Sequence, residues 1–61
     1  MILFINVTNL SRFEKLYKDN KDLQVMVNRW TGIKWKVNDK SDKEDIERIL
    51  VEKKIKHQWD G

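Results

Sequence analysis

The most constraining feature of this chain is its opening. Residues 1–7 (Met-Ile-Leu-Phe-Ile-Asn-Val) are apolar at every position but Asn6, and mostly β-branched or aromatic. A run so short and so apolar reads as a strand covered on both faces, hence central in a sheet. It falls far short of the roughly 20 residues that span a bilayer. It also lacks the basic n-region and small-residue cleavage site of a secretory signal. The rest of a 61-residue chain must supply its neighbours, so the expected organisation is one compact domain over residues 1–61.

Two segments with helical spacing follow. Leu10, Phe13, Leu16 and Tyr17 lie on one face of a helix ending near Asp19, with Ser11-Arg12-Phe13-Glu14 as a capping box. Ser41-Asp42-Lys43-Glu44 has the same form and opens a second helix whose buried stripe is Ile46, Ile49 and Leu50. Asp42, Glu44 and Asp45 suit the positive end of that helix, and Lys53 and Lys54 its negative end. Glu44 and Arg48 are expected to pair at i,i+4.

Between them lies alternation of period two. Leu23, Val25 and Val27 alternate with Gln24, Met26 and Asn28, and Ile33, Trp35 and Val37 with Lys34, Lys36 and Asn38. Joined by Trp30-Thr31-Gly32, these predict a hairpin with Gly32 in the left-handed position of a three-residue loop. That loop pairs Arg29 with Ile33, Val27 with Trp35 and Val25 with Val37. A two-residue Thr31-Gly32 loop would split the apolar set, and a sheet with one buried face specifies register strongly.

Residues 55–59 alternate again and read as a fourth strand or as the frayed end of the second helix. A shift of thirty residues lays Leu3 on Ile33, Ile5 on Trp35, Ser11 on Ser41 and Val25 on Ile55, which favours the strand. The fold class predicted is α+β: a single-layer antiparallel sheet with two helices on one face, β-α-β-β-α(-β). A ferredoxin-like split βαβ sandwich is one form of it, with βαββα as the simpler alternative.

Composition narrows function. With no cysteine there is neither a disulfide nor a thiolate metal site, and a reducing, cytoplasmic setting is expected. The chain has one His and only two Ser, both at expected helix caps, so no nucleophile is placed beside an oriented base. His57 near Asp60 is a dyad on paper only, and His57 reads better as a surface or rim residue. The acids around Asp42 and Glu47 compensate a helix dipole more readily than they bind magnesium. No catalytic residue, metal or cofactor is predicted, and the chain reads as a non-enzyme.

Two binding modes remain. The chain carries three Trp, more aromatic surface than so small a core encloses, and Trp leads among interface hot spots. The protein-docking surface predicted is Trp30, Met26, Phe4, Ile2 and Trp59, covered by a foreign protein or by a second copy in a homodimer. Nucleic acid is the alternative. Residues 42–52 hold five acids and two bases, which leaves a net +6 on the remainder of a chain whose total is +3. Arg29, Lys34 and Lys36 with Trp30 then stack bases and neutralise phosphates. Repulsion between the acidic second helix and a passing backbone counts against this mode. Finally, the absence of Ala and Pro beside abundant Lys, Asn and Ile suits an AT-rich genome. A phage- or mobile-element-encoded inhibitor of a host protein is the expected setting, which places it in the host cytoplasm.

Overall fold

The computed structural model describes residues 1–60. Strand β1 (Ile2–Ile5) leads through a 3-10 turn (Val7–Asn9) into α1 (Leu10–Asp19) and a short α2 (Lys21–Met26). Then come β2 (Val27–Thr31), β3 (Lys34–Val37), a second 3-10 turn (Lys40–Asp42), α3 (Lys43–Glu52) and β4 (His57–Asp60). The sheet is antiparallel throughout in the order β2-β3-β1-β4. The predicted α+β class is therefore the observed one. The fourth strand exists, and the strand order is that of the split βαβ sandwich. No helix among the described residues is long and apolar enough to cross a membrane.

β1 is central, between β3 and β4, but only one of its faces is covered. Leu3 and Ile5 are fully buried, whereas Ile2 and Phe4 are half-buried on the open side. The core joins them to Phe13, Leu23, Val27, Trp35, Val37, Ile46, Leu50 and Ile55. Trp35 anchors it, with the Phe13 ring edge-on at 4.7 Å and Tyr17 at 5.0 Å between centroids.

Several local expectations fail for identifiable reasons. Neither capping box forms. Asn6 caps the first 3-10 turn through its side chain, accepting from Thr8 N at 2.9 Å, and the turn runs straight into α1. Ser11 therefore lies inside the helix rather than at its start. Asp39 does the same for the second turn, accepting from Ser41 N at 3.0 Å. Short Asx side chains reach backbone N–H groups two residues on, and so begin each turn earlier than Ser would. Arg48 pairs with Asp45 at 3.6 Å, not with Glu44.

Residues 23–26 are helical, not extended. Asn20 breaks α1 with extended dihedrals, then caps α2 by accepting from Leu23 N at 3.2 Å. Gln24 Nε2 donates to the carbonyls of Tyr17 and Lys18 in the last turn of α1, the first of which also accepts from Asn20 N. Leu23 and Val27 are both buried and fit an i,i+4 spacing as well as period two, while Val25 is 74% exposed. A short apolar run does not distinguish the two periods.

The hairpin register moves accordingly. Val27 faces Val37, Asn28 faces Lys36, Arg29 faces Trp35 and Thr31 faces Lys34, with a bulge between Arg29 and Thr31. The loop is Gly32-Ile33, and Gly32 takes φ +55°, the conformation a tight hairpin asks of glycine at its first loop position. The pairing slides by two residues, so the buried face is retained. Residue parity fixed the face, and the bulge at Trp30 set the register.

The turn after α3 resolves the ambiguous tail. Ile55 N donates to Leu50 O at 2.9 Å and Lys54 N to Val51 O at 3.1 Å, with Lys54 at φ +57°. This is a Schellman closure with lysine where glycine is usual, sealed by contact between buried Leu50 and Ile55. The thirty-residue echo is displaced too. Trp35 occupies in β3 the place of Leu3 in β1, thirty-two positions on, and Asp39 matches Asn6 at thirty-three.

Candidate functional site: the open sheet face

All helices lie on one side of the sheet, so its other side is bare. Alternation along the strands assigns residues to it. Ile2 and Phe4 of β1 stand opposite Lys36 and Lys34 of β3, and opposite Asp60 and Gln58 of β4. Asn28 of β2 faces Lys36. Trp30, two residues beyond Asn28, falls on the same side, where it is 60% exposed.

Lysine and aromatic side chains interleave here. Lys34 Nζ sits 5.8 Å from the Phe4 ring centre and 5.9 Å from that of Trp30. Cation–π attraction holds the ammonium between the two rings. Neither Lys34 nor Lys36 is in an ion pair among the described residues. A shallow hollow of about 340 Å³ is bounded by Ile2, Asn28, Arg29, Trp30 and Lys36. Asn28 is held by its bond to Asn38 Oδ1 at 2.9 Å, and Asn38 in turn donates to Val25 O.

Five of the predicted site residues meet on this face: Ile2, Phe4, Trp30, Lys34 and Lys36. Three do not. Met26 ends α2 and packs partly buried against the core, beside Ile49 and Asp22. Its helical placement follows from the Asn20 cap. Trp59 is half-buried on the helix side, because it pairs with Leu3 and shares that residue's face. Arg29 pairs with Trp35 and likewise points to the helix side. There its guanidinium lies 5.3 Å over the Trp35 ring and bridges to Glu14 of α1.

A second polar constellation, which the sequence did not announce, lies between β4 and α3. His57 Nε2 is 2.6 Å from Glu47 Oε1, and Trp59 Nε1 donates to the same oxygen at 2.7 Å. His57 Nδ1 lies 2.7 Å from Ile55 O. The His57 side chain is 10% exposed, so it is not a surface or rim residue. Its partner is Glu47 rather than Asp60, which alternation puts on the opposite side of β4. Bonds from Trp59 and then His57 hold the Glu47 carboxyl below its ordinary value of about 4.5, against a smaller desolvation effect. The available signal was the tail itself: His57 and Trp59 share one side of a strand, and both bring N–H groups that need an acceptor.

Comparison with known proteins finds no matching family model, no similar curated protein and no similar solved structure. The face must therefore be argued from its own chemistry. The face combines an exposed indole, half-buried aliphatic and phenyl groups and two ammoniums that have no ion pair among the described residues.

Proposed function

We propose that this protein is a non-catalytic binding domain that docks its open sheet face onto a protein of the host cell and so inhibits or modulates it. The observation that carries the reading is Trp30. A 60% exposed indole points outward from β2, beside Lys34 and in the hollow it shares with Ile2, when the fold offers the ring no role in its own core. Exposed Trp within a mixed apolar and basic surface is the composition of an interface hot spot. A second copy is a poor occupant, since face-to-face pairing brings Lys34 and Lys36 of each copy together, with Asp60 as the lone acidic side chain on each face among the described residues.

Single-stranded nucleic acid is the second reading, favoured by one observation. The acidic helix α3 lies on the far side of the sheet, so it does not oppose a phosphate backbone crossing Phe4, Trp30 and Lys34. The test is capture from host extract with and without nuclease, using the natural chain, Trp30→Ala and the double variant Lys34→Glu/Lys36→Glu. Docking to protein predicts a stoichiometric partner that survives nuclease, is lost with Trp30→Ala and depends little on salt. Loss of all captured material on nuclease, with steep salt dependence, contradicts it and supports nucleic acid.

A further inference from the structure

β4 is an edge strand at the end of the chain, and it is fastened in two ways. Its backbone pairs with β1 from Ile2 opposite Asp60 to Ile5 opposite His57. Its inward side chains, His57 and Trp59, carry N–H groups into the layer between sheet and helices, where both meet one oxygen of Glu47. Its outward residues, Gln58 and Asp60, are exposed. Just before it, Ile55 is buried and closes the turn after α3. The chain is therefore pinned at Ile55, and beyond that point a single carboxylate serves both inward donors.

We infer that Glu47 is a latch: it holds β4 on the sheet, and its removal or neutralisation frees His57–Asp60 as a unit while β1, β2 and β3 stay paired. The physical reason is the cost of a donor left without an acceptor. Removing the carboxylate strands the Trp59 indole N–H in a half-buried layer and takes from His57 Nε2 its partner, leaving the imidazole only its contact with Ile55 O at 2.7 Å; both groups recover partners in water if the strand leaves. Leu3, Ile5, Trp35 and Val37 keep their own packing in the core, so opening stops at β4. Local opening of this kind is the usual behaviour of edge elements with little fully buried surface.

The charged groups facing Glu47 are few. Lys43, one turn earlier on α3, places its ammonium 5.4 Å over the Trp59 ring and favours the ionised carboxylate. His57 faces it from β4, and β1 contributes only Leu3 and Ile5. Release has two consequences for recognition. It bares the outer edge of β1, a ladder open to strand addition. It also withdraws Asp60, the one acidic side chain on the open face among the described residues.

Amide hydrogen exchange tests the latch on the intact chain, with the Trp59 indole N–H as a second probe. Glu47→Ala is expected to speed exchange across His57–Asp60 at least tenfold while the β2–β3 ladder changes less than twofold. Glu47→Gln, which keeps one acceptor oxygen, should fall between the two. Lowering pH through the carboxylate range should reproduce the selective loss in the natural chain and add nothing in Glu47→Ala. Unchanged exchange in β4, or an equal rise in all four strands, would overturn the inference.

Discussion

The two edge strands each carry a tryptophan and place it in opposite ways. On β2 Trp30 shares the face of Asn28 and so lies on the bare side of the sheet, where no helix covers it. On β4 regular alternation turns Trp59 to the helix side, where Glu47 binds its indole N–H and Lys43 covers its ring. A third tryptophan, Trp35 on the inner strand β3, is 1% exposed. One residue type thus takes three roles within one sheet. Strand position and parity decide which, not hydrophobicity.

Truncating the three in turn sharpens that contrast, and the effects should be graded. Trp35→Ala removes the centre of the aromatic cluster and is expected to cost about 3–5 kcal/mol, enough to unfold so small a domain, as a thermal melt would show. Trp59→Ala loses a half-buried ring and a charge-assisted hydrogen bond. A loss of roughly 2 kcal/mol in denaturant unfolding is expected. Trp30→Ala should stay within about 0.5 kcal/mol of the natural chain, as surface substitutions do. A large loss there would give Trp30 a structural role and break the comparison.

Acid should act on the β4 edge and not on β2. Glu47 is held below its ordinary value, so its contribution is fully present above about 4.5 and is lost as pH falls through the lowered value. Asp39 shifts in the same direction through its bond to Ser41, but it is fully exposed. A pH series of melts should therefore decline below the carboxylate range, and the Trp59 indole resonance should move before that of Trp35. The smallest effect expected is a gain. Lys54 occupies a left-handed position at φ +57°, and Lys54→Gly should raise stability by about 0.5–1 kcal/mol in the same unfolding assay.

The architecture was legible in the sequence because parity is robust. The inward set Leu3, Ile5, Val27, Trp35 and Val37 is recoverable from alternation alone, and a register error of two leaves it intact. What depended on single side chains was not legible. Asn20 ends one helix and starts another within a stretch that alternates as a strand would, and this moved Met26 off the open face. The irregularity between Arg29 and Thr31 sets Arg29 opposite Trp35 and Thr31 opposite Lys34, and with them the hairpin register. The Glu47 constellation needs a contact ten residues along the chain and across two elements, which no periodicity encodes.

On the proposed function the partner meets Trp30 on the bare face, while Trp59 serves to fasten β4. Thermal melting and partner capture, measured together on Trp30→Ala and Trp59→Ala, address it most directly. The account predicts that Trp30→Ala melts with the natural chain yet captures nothing. Trp59→Ala should melt earlier but still capture the partner below its transition. Retained capture by Trp30→Ala, with capture lost in folded Trp59→Ala, would contradict it.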